Sequence, residues 1–422
     1  MDLPRPLATA AGWLLILVAS CGIGGGAVGQ ETPVPTVLVD RVHLDAAARR
    51  YAEQPDHPVF ARLIDEADRL LEAPLQTVTD KTQLPPDADP HDYRSVGVYW
   101  WPDPETADGL PWIRRDGRVN PAVYDGANSD SGRLNRMFRQ VRTLGLAYHV
   151  SGEPRYADRA AEALRTWFLD PATAMNPNLR YAQGVPGRSD GRRYGIIEFH
   201  PAIALLDAVK LLAGSGAWSD EDDRALRRWF AKLVQWLQTS EMGLEARATP
   251  NNHAAWRMAQ EFAYRAYADP PGPSAFELQQ TLHRLLQLQV DDEGRQPHEL
   301  TRTRSLSYSY FNLEAFQTIA RLAQLRGEAP WQDEPRLRAA EDFVRPYALE
   351  LGDWPHEQIE PAGQAGRRAL WTSALALPPD QGSAYADPAR RLLQRGEDSI
   401  TLQDLAALGA GLLDPPTPMP EQ

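Results

Sequence analysis

Between residues 131 and 150, Leu134, Met137, Phe138, Val141, Leu144, Leu146 and Tyr148 recur at close to a helical period, which predicts one long helix. Gly152-Glu153-Pro154 ends it, and Tyr156, Ala160, Ala163, Leu164, Trp167 and Phe168 trace a second helix. The same alternation of helix, break and helix continues down the chain. Helices are predicted over 201–212 and 219–239, the latter opened by Ser219-Asp220-Glu221-Asp222 as an acidic first turn. Two more pairs follow, 253–267 with 275–290 and 308–326 with 334–350. Patterning is weaker after Leu351, but resumes over 368–377, 388–394 and 402–413. Val37-Leu38-Val39 is the one clear strand candidate. Repeated antiparallel pairs without a fixed-period sequence repeat predict an all-α fold, an α/α toroid built as an incomplete barrel of helical hairpins over 37–413. The Pro-rich stretch 414–422 reads as a frayed tail.

Long connections separate these pairs, at 77–128, 170–198 and 241–252. Connections of that size in a compact domain tend to carry function. They hold Tyr99, Trp100, Trp101, Trp112, Tyr124 and Tyr181 among arginines. Aromatic faces stack on sugar rings and guanidinium groups fork carboxylates, so this mixture suits acidic sugars. For any single ring the alternative is packing of the loop onto the body.

Net charge narrows the partners. The chain has 422 residues and a formal charge of −13, which argues against nucleic acid and requires a local basic cleft for an acidic substrate. One cysteine, Cys21, excludes an intrachain disulfide and a cysteine-based zinc site. It follows an apolar run from Leu7 to Ala19 that has the length of a signal-peptide core and is short for a membrane span. Leu17-Val18-Ala19-Ser20-Cys21-Gly22 resembles a bacterial lipobox, with Cys21 as the lipidated residue. Cleavage near Ala27-Val28-Gly29 is the alternative. Residues 1–36 are therefore expected to be a signal peptide and flexible tether. The mature protein is expected to be exported to the periplasm or outer membrane of a bacterium, with membrane contact only through the lipid. No His, Asp or Glu spacing predicts a metal site; Asp291-Asp292-Glu293-Gly294 lacks the ligand pattern of a calcium loop.

Candidate chemistry concentrates near Tyr308. Arg302 and Arg304 precede it at a predicted helix start, and neighbouring cations favour the ionised form of a tyrosine. The segment also reads as an ordinary helix start with a core tyrosine. Asn251-Asn252-His253 opens another helix, where Asn251 suits an N-cap.

Six ordered segments give this pattern a family. Tyr99 to Pro104, Arg115 to Pro121, Trp167 to Pro171, Met175 to Gln183, Asn251 to His253, and Glu299 to Ser309 together resemble the alginate lyase domain family of bacterial polysaccharide lyases, over roughly residues 60–330. The Arg302-Thr303-Arg304-Ser305 and Tyr308-Ser309 form is similar to the mannuronan or glucuronan branch; Ser307 and Ser309 stand where periplasmic biosynthetic alginate lyases carry histidines. The resemblance implies an α/α toroid, β-elimination of anionic uronic-acid polymers, and no cofactor.

Such an elimination needs the C6 carboxylate neutralised, a base for the C5 proton and an acid for O4. Asn252 and Arg302 are the candidates for neutralisation, with Arg304 assisting or anchoring a neighbouring sugar. His253 is expected to titrate near neutrality as base or polariser. Tyr308 is the candidate proton donor to O4 and, if ionised, the base. Tyr181, Gln183, Trp100, Trp101, Asn128, Arg193 and Glu299 complete the expected substrate contacts, while Glu198 orients an arginine or starts a helix. C5–H and O4 share a face in mannuronate and glucuronate but not in guluronate, so one tyrosine serves both steps only for the former. Two competing functions stand beside this one. A glycoside hydrolase would need two acids flanking the bond, from Asp125, Asp130, Glu198 and Glu299. A non-catalytic uronan-binding lipoprotein would bind without turnover.

Overall fold

The computed structural model describes residues 36–124, 129–362, 364–396 and 398–413. Five helices pack in succession around the interior: Ser131–Ser151, Ala202–Leu211, Asn252–Ala268, Ser305–Gln324 and Gln364–Ala376. Their burial sets them apart. Asn252–Ala268 buries 13 of its 17 residues and Ser305–Gln324 buries 15 of 20, as expected of a helix covered on nearly every side. The outer partners are amphipathic. Asp220–Thr239 buries only six of 20 residues, in one stripe, and starts with a reciprocal capping box between Ser219 and Asp222. Pro154–Phe168, Ala275–Gln289 and Pro379–Arg395 likewise back the inner helices. The protein is thus an α/α toroid. Arg41–Glu53 and Leu402–Gly409 pack together, the former against the first inner helix and the latter against the last.

Each inner helix is followed by an outer one running back, so the inner helices run parallel and present their N-termini at one end. The long connections gather there. Two short pairings stiffen them: Arg94–Val96 runs parallel to Tyr181–Gly184, and Trp100–Trp101 runs antiparallel to Ile113–Arg114. These strands of two to four residues are too short to register as an alternating pattern.

Val37-Leu38-Val39 forms no strand. The amides of Val37 and Leu38 donate to the Asp207 carboxylate at 2.6 and 2.8 Å, and the valines enter the core. The run is apolar because it is buried, not because it pairs. Part of the predicted 241–252 connection is the helix Glu241–Arg247, capped by the Ser240 hydroxyl on Gly243 N at 3.1 Å. The predicted helix 388–394 begins earlier, as Pro379–Arg395 with Pro388 inside it.

Candidate active site

The N-termini of two adjacent inner helices supply the expected catalytic groups. Asn251 caps the first, accepting from His253 N at 3.3 Å, which leaves Asn252 and His253 in the opening turn. The second begins after the turn 301–304. There the Gln358 side chain accepts from Leu306 N and Ser307 N at 2.9 and 3.3 Å, satisfying two of the free amides of that helix end. Tyr308 lies one turn in.

The centre of the site is a chain of charged and phenolic groups. Arg302 stacks over the Tyr308 ring, 3.9 Å from its centroid, and donates to its hydroxyl at 2.9 Å. The Tyr308 hydroxyl bonds the Tyr99 hydroxyl at 2.8 Å. On its other side Arg302 forks Asp116, at 3.1 Å from Nε and 2.8 Å from Nη2. Arg114 also holds Asp116, at 2.5 Å, and the carboxyl is depressed to about 2: the Arg302 hydrogen bonds and the nearby guanidinium charges outweigh its partial burial. Asp116 reaches this position because Gly117 adopts φ +68° against the turn. A Cβ there would lie 2.2 Å from Thr303 Oγ1.

This geometry changes two expectations about titration. Arg302 does favour the ionised form of Tyr308, but burial and the Tyr99 hydroxyl outweigh it, and the pKa is raised well above the ordinary value. Tyr308 is a phenol in the ligand-free site. His253 does not titrate near neutrality: burial, then the charges of Arg302, Arg192, Arg193 and Arg114, push it down to about 3. Its ring packs edge-on against Tyr194 with centroids 4.8 Å apart, and its Nδ1 is buried without a partner. His253 is therefore a neutral imidazole.

Glu299 does not face an open cleft. It is 1 % exposed, and its carboxylate accepts from Asn252 N at 2.8 Å and from Asn252 Nδ2 at 3.0 and 2.8 Å. It orients Asn252, whose Oδ1 is buried and unpartnered. Tyr181 is also buried, at 4 % exposure, its hydroxyl without a partner, so it packs the loop rather than offering a surface for a sugar. Gln183 is half-buried at φ +50° and accepts from Arg192 Nε through its carbonyl at 2.7 Å. Among the described residues it is the one non-glycine with positive φ, a strained geometry of the kind that clusters at functional sites. Trp100 lies beneath Arg188 and Arg192, and Trp101 beneath Arg115. Arg193 stacks on Tyr194 and pairs with Glu245 at 3.3 Å. Arg304 pairs with Glu360. Asn128 and Cys21 lie outside the described residues.

Three of the four carboxylates considered for hydrolysis are already engaged. Asp130 is buried against Lys81 at 3.0 Å. Glu198 accepts from Tyr93 and Ser95 at 2.8 and 2.6 Å, and burial pushes its pKa up to about 7. Glu299 is tied to Asn252; Asp125 lies outside the described residues. Reading the sequence missed Asp116, Arg114 and Tyr194 as parts of the site, and named Tyr99 only as a ring for sugars, not as the partner of Tyr308. Tyr99 and Asp116 fall in the segments 99–104 and 115–121 and Arg114 directly precedes the second, but their pairing across the chain depends on how those loops fold back.

The sequence profile of the alginate lyase family matches residues 77–354. The crystal structure of an alginate lyase from Bacteroides ovatus is similar at 33% identity, with a TM-score of 0.76, covering 85% of this chain and 96% of that one. Alginate lyase A1-III from Sphingomonas species A1 is more remote, at 16% identity and a TM-score of 0.41, covering 74% of this chain and 79% of that one. No curated protein matches the chain. With a family match across most of its length and a solved relative at 33% identity, the chain belongs to the alginate lyase family of polysaccharide lyases.

Proposed function

We propose that the protein cleaves 4-linked uronic-acid polymers by β-elimination, acting on mannuronate or glucuronate blocks in preference to guluronate. The observation that carries this reading is the Asp116–Arg302–Tyr308–Tyr99 chain beside a neutral His253. Arg302, Arg114, Arg192 and Arg193 make the cleft locally basic in a chain of charge −13, which suits a uronate carboxylate. The Arg302 guanidinium neutralises that carboxylate and so acidifies C5–H, while Asn252, its Nδ2 held by Glu299, keeps Oδ1 free as an acceptor. Neutral His253 takes the C5 proton, the electron pair forms the C4–C5 double bond, and the C4–O4 bond breaks. Tyr308, protonated in the free site, gives its proton to O4. Arg302 steadies the phenolate left behind.

His253 and Tyr308 stand at the same end of neighbouring parallel helices. Both approach the sugar from the cleft floor, which favours removal of C5–H and protonation of O4 on one face. We further propose that the body is exported and anchored through Cys21. Among the described residues no helix is long and apolar enough to cross a membrane.

The test is product formation on polymannuronate, polyguluronate and glucuronan. Unsaturated ends, seen as ultraviolet absorbance, are expected from the first or last and at a much lower rate from polyguluronate. New reducing ends without that absorbance mean hydrolysis; binding without turnover between about pH 5 and 10 means a binding protein. A faster reaction on polyguluronate overturns the one-face geometry.

A further inference from the structure

Below the catalytic end, the five inner helices enclose a cavity of about 350 Å³, within the range of small-molecule sites. None of Asn252, His253, Arg302 or Tyr308 lines it. His200 and Trp256, with ring centroids 4.5 Å apart, form its wall on that side, and Phe311 packs on both. Leu38 and the segment 399–403 contribute further wall.

Four arginines line this cavity, and three have a carboxylate partner. Arg139 holds Glu66 at 2.6 Å, Arg368 holds Glu314 at 3.0 Å, and Arg321 holds Asp40. Arg142 makes no ion pair among the described residues; its Nε donates to Phe138 O at 3.2 Å and its side chain lines the cavity. Burial and then the Arg368 charge depress it to about 10, against the opposing charge of Glu66. A guanidinium with no carboxylate in contact keeps its fork free, and a bound carboxylate completes it. The remaining lining is mixed. Phe138 and Trp256 offer ring faces, and Gln317 Oε1 is a buried acceptor without a partner. Polar side chains such as Asn135, Thr143 and Gln403 suit hydroxyl groups better than an alkyl chain.

We propose that the lumen of the toroid is a second binding site, for an acidic sugar of one or two rings, whose carboxylate pairs with Arg142 and whose ring lies against Phe138 and Trp256. The ligand class matches the small end products of the proposed reaction, but the assignment stands on the cavity alone. A site of this kind lets accumulated product bind without competing for the cleft.

Calorimetric titration with D-glucuronate tests it, with D-glucose as the uncharged control and octanoate as the apolar anion. Saturable D-glucuronate binding is expected in the wild type and in Arg302→Ala, and at least ~10-fold weaker in Arg142→Gln, which loses a charged fork. Arg142→Lys, which keeps the charge but not the fork, should fall between them and serves if Arg142→Gln does not fold. Loss in Arg302→Ala with retention in Arg142→Gln would place the sugar in the cleft. Equal binding of D-glucose, binding of octanoate alone, or no binding of D-glucuronate would each overturn the assignment. Polymer cleavage by the wild type is measured separately, so failure here leaves the lyase reading intact.

Discussion

Asp116 and Arg302, 186 positions apart in sequence, form a two-bond fork at 2.8 and 3.1 Å that fixes the guanidinium against the Tyr308 ring. Asp116 touches no part of the proposed reaction itself; it decides where Arg302 can be. Asp116→Asn keeps the shape and removes the charge. Turnover on the preferred uronan should fall between ~10- and ~100-fold, the scale of misplacing a catalytic group by about an ångström, while the melting temperature changes little. Gly117→Ala should give a similar loss by another route, because its Cβ would strike Thr303 Oγ1. Unchanged turnover in both would mean that Arg302 does not need this partner.

Tyr308→Phe removes one hydroxyl and keeps the ring. Its hydroxyl makes two hydrogen bonds, with Arg302 and Tyr99, each worth about 0.5–1.5 kcal/mol net, so stability should fall by no more than ~3 kcal/mol, but turnover should drop at least ~10²-fold with the proton donor gone. Tyr99→Phe removes only the partner of that hydroxyl and should cost less. His253→Ala and Arg302→Ala should also slow the reaction, and combined variants should lose less than the sum because the groups serve one transition state. Arg302→Ala should raise KM more than Tyr308→Phe does. A folded Tyr308→Phe enzyme with most of its activity would falsify the assignment.

Two buried groups give opposite pH dependences of stability. His253 has its folded pKa depressed to about 3, so below an unfolded value near ~6.5 the unfolded chain binds the extra proton. Its contribution is present at neutral pH and lost as pH falls from about 6.5 towards 3. Glu198 is raised to about 7, so the folded state binds the extra proton between about 4.5 and 7, and stability is lost as pH rises through that window. Melting temperatures from pH 4 to 8 check both. His253→Gln should flatten the acid side, and Glu198→Gln should help more at pH 8 than at pH 5. The free enzyme should likewise show no His253 ionisation in kcat/KM near pH 6.5.

Glu299→Ala leaves the Asn252 amide without the acceptors that hold it. The expected result is a fall in kcat with a smaller change in KM, because Asn252 is misplaced rather than removed. Glu299→Gln, which retains one acceptor oxygen, should recover part of the loss. A change confined to KM would instead restore Glu299 as a direct substrate contact.

Lipidation at Cys21 is checked in cells. Cys21→Ala should move the mature protein from the membrane fraction to the soluble fraction. Unchanged membrane association removes the anchor and leaves export by another cleavage.

The helices were legible in the sequence because their burial is written at a local period. The Ser131 helix was predicted to within one residue, the Ser219 to Asp222 stretch was readable as an acidic helix start, and Asn251 was readable as a cap because an N-cap acts on the amides two or three positions ahead. Asn252, His253, Arg302 and Tyr308 were named from their segments, and chain direction alone places their helix starts at one end of a hairpin barrel. What those side chains are in chemical terms was decided only by the tertiary structure. Whether His253 is charged depends on arginines brought from residues 114, 192, 193 and 302, and whether Tyr308 is ionised depends on burial and on Tyr99. Glu299 turned from substrate to Asn252, and Tyr181 turned inward, for the same reason. Coulomb energies and desolvation depend on distance in space, and loops pair at separations that no local pattern records.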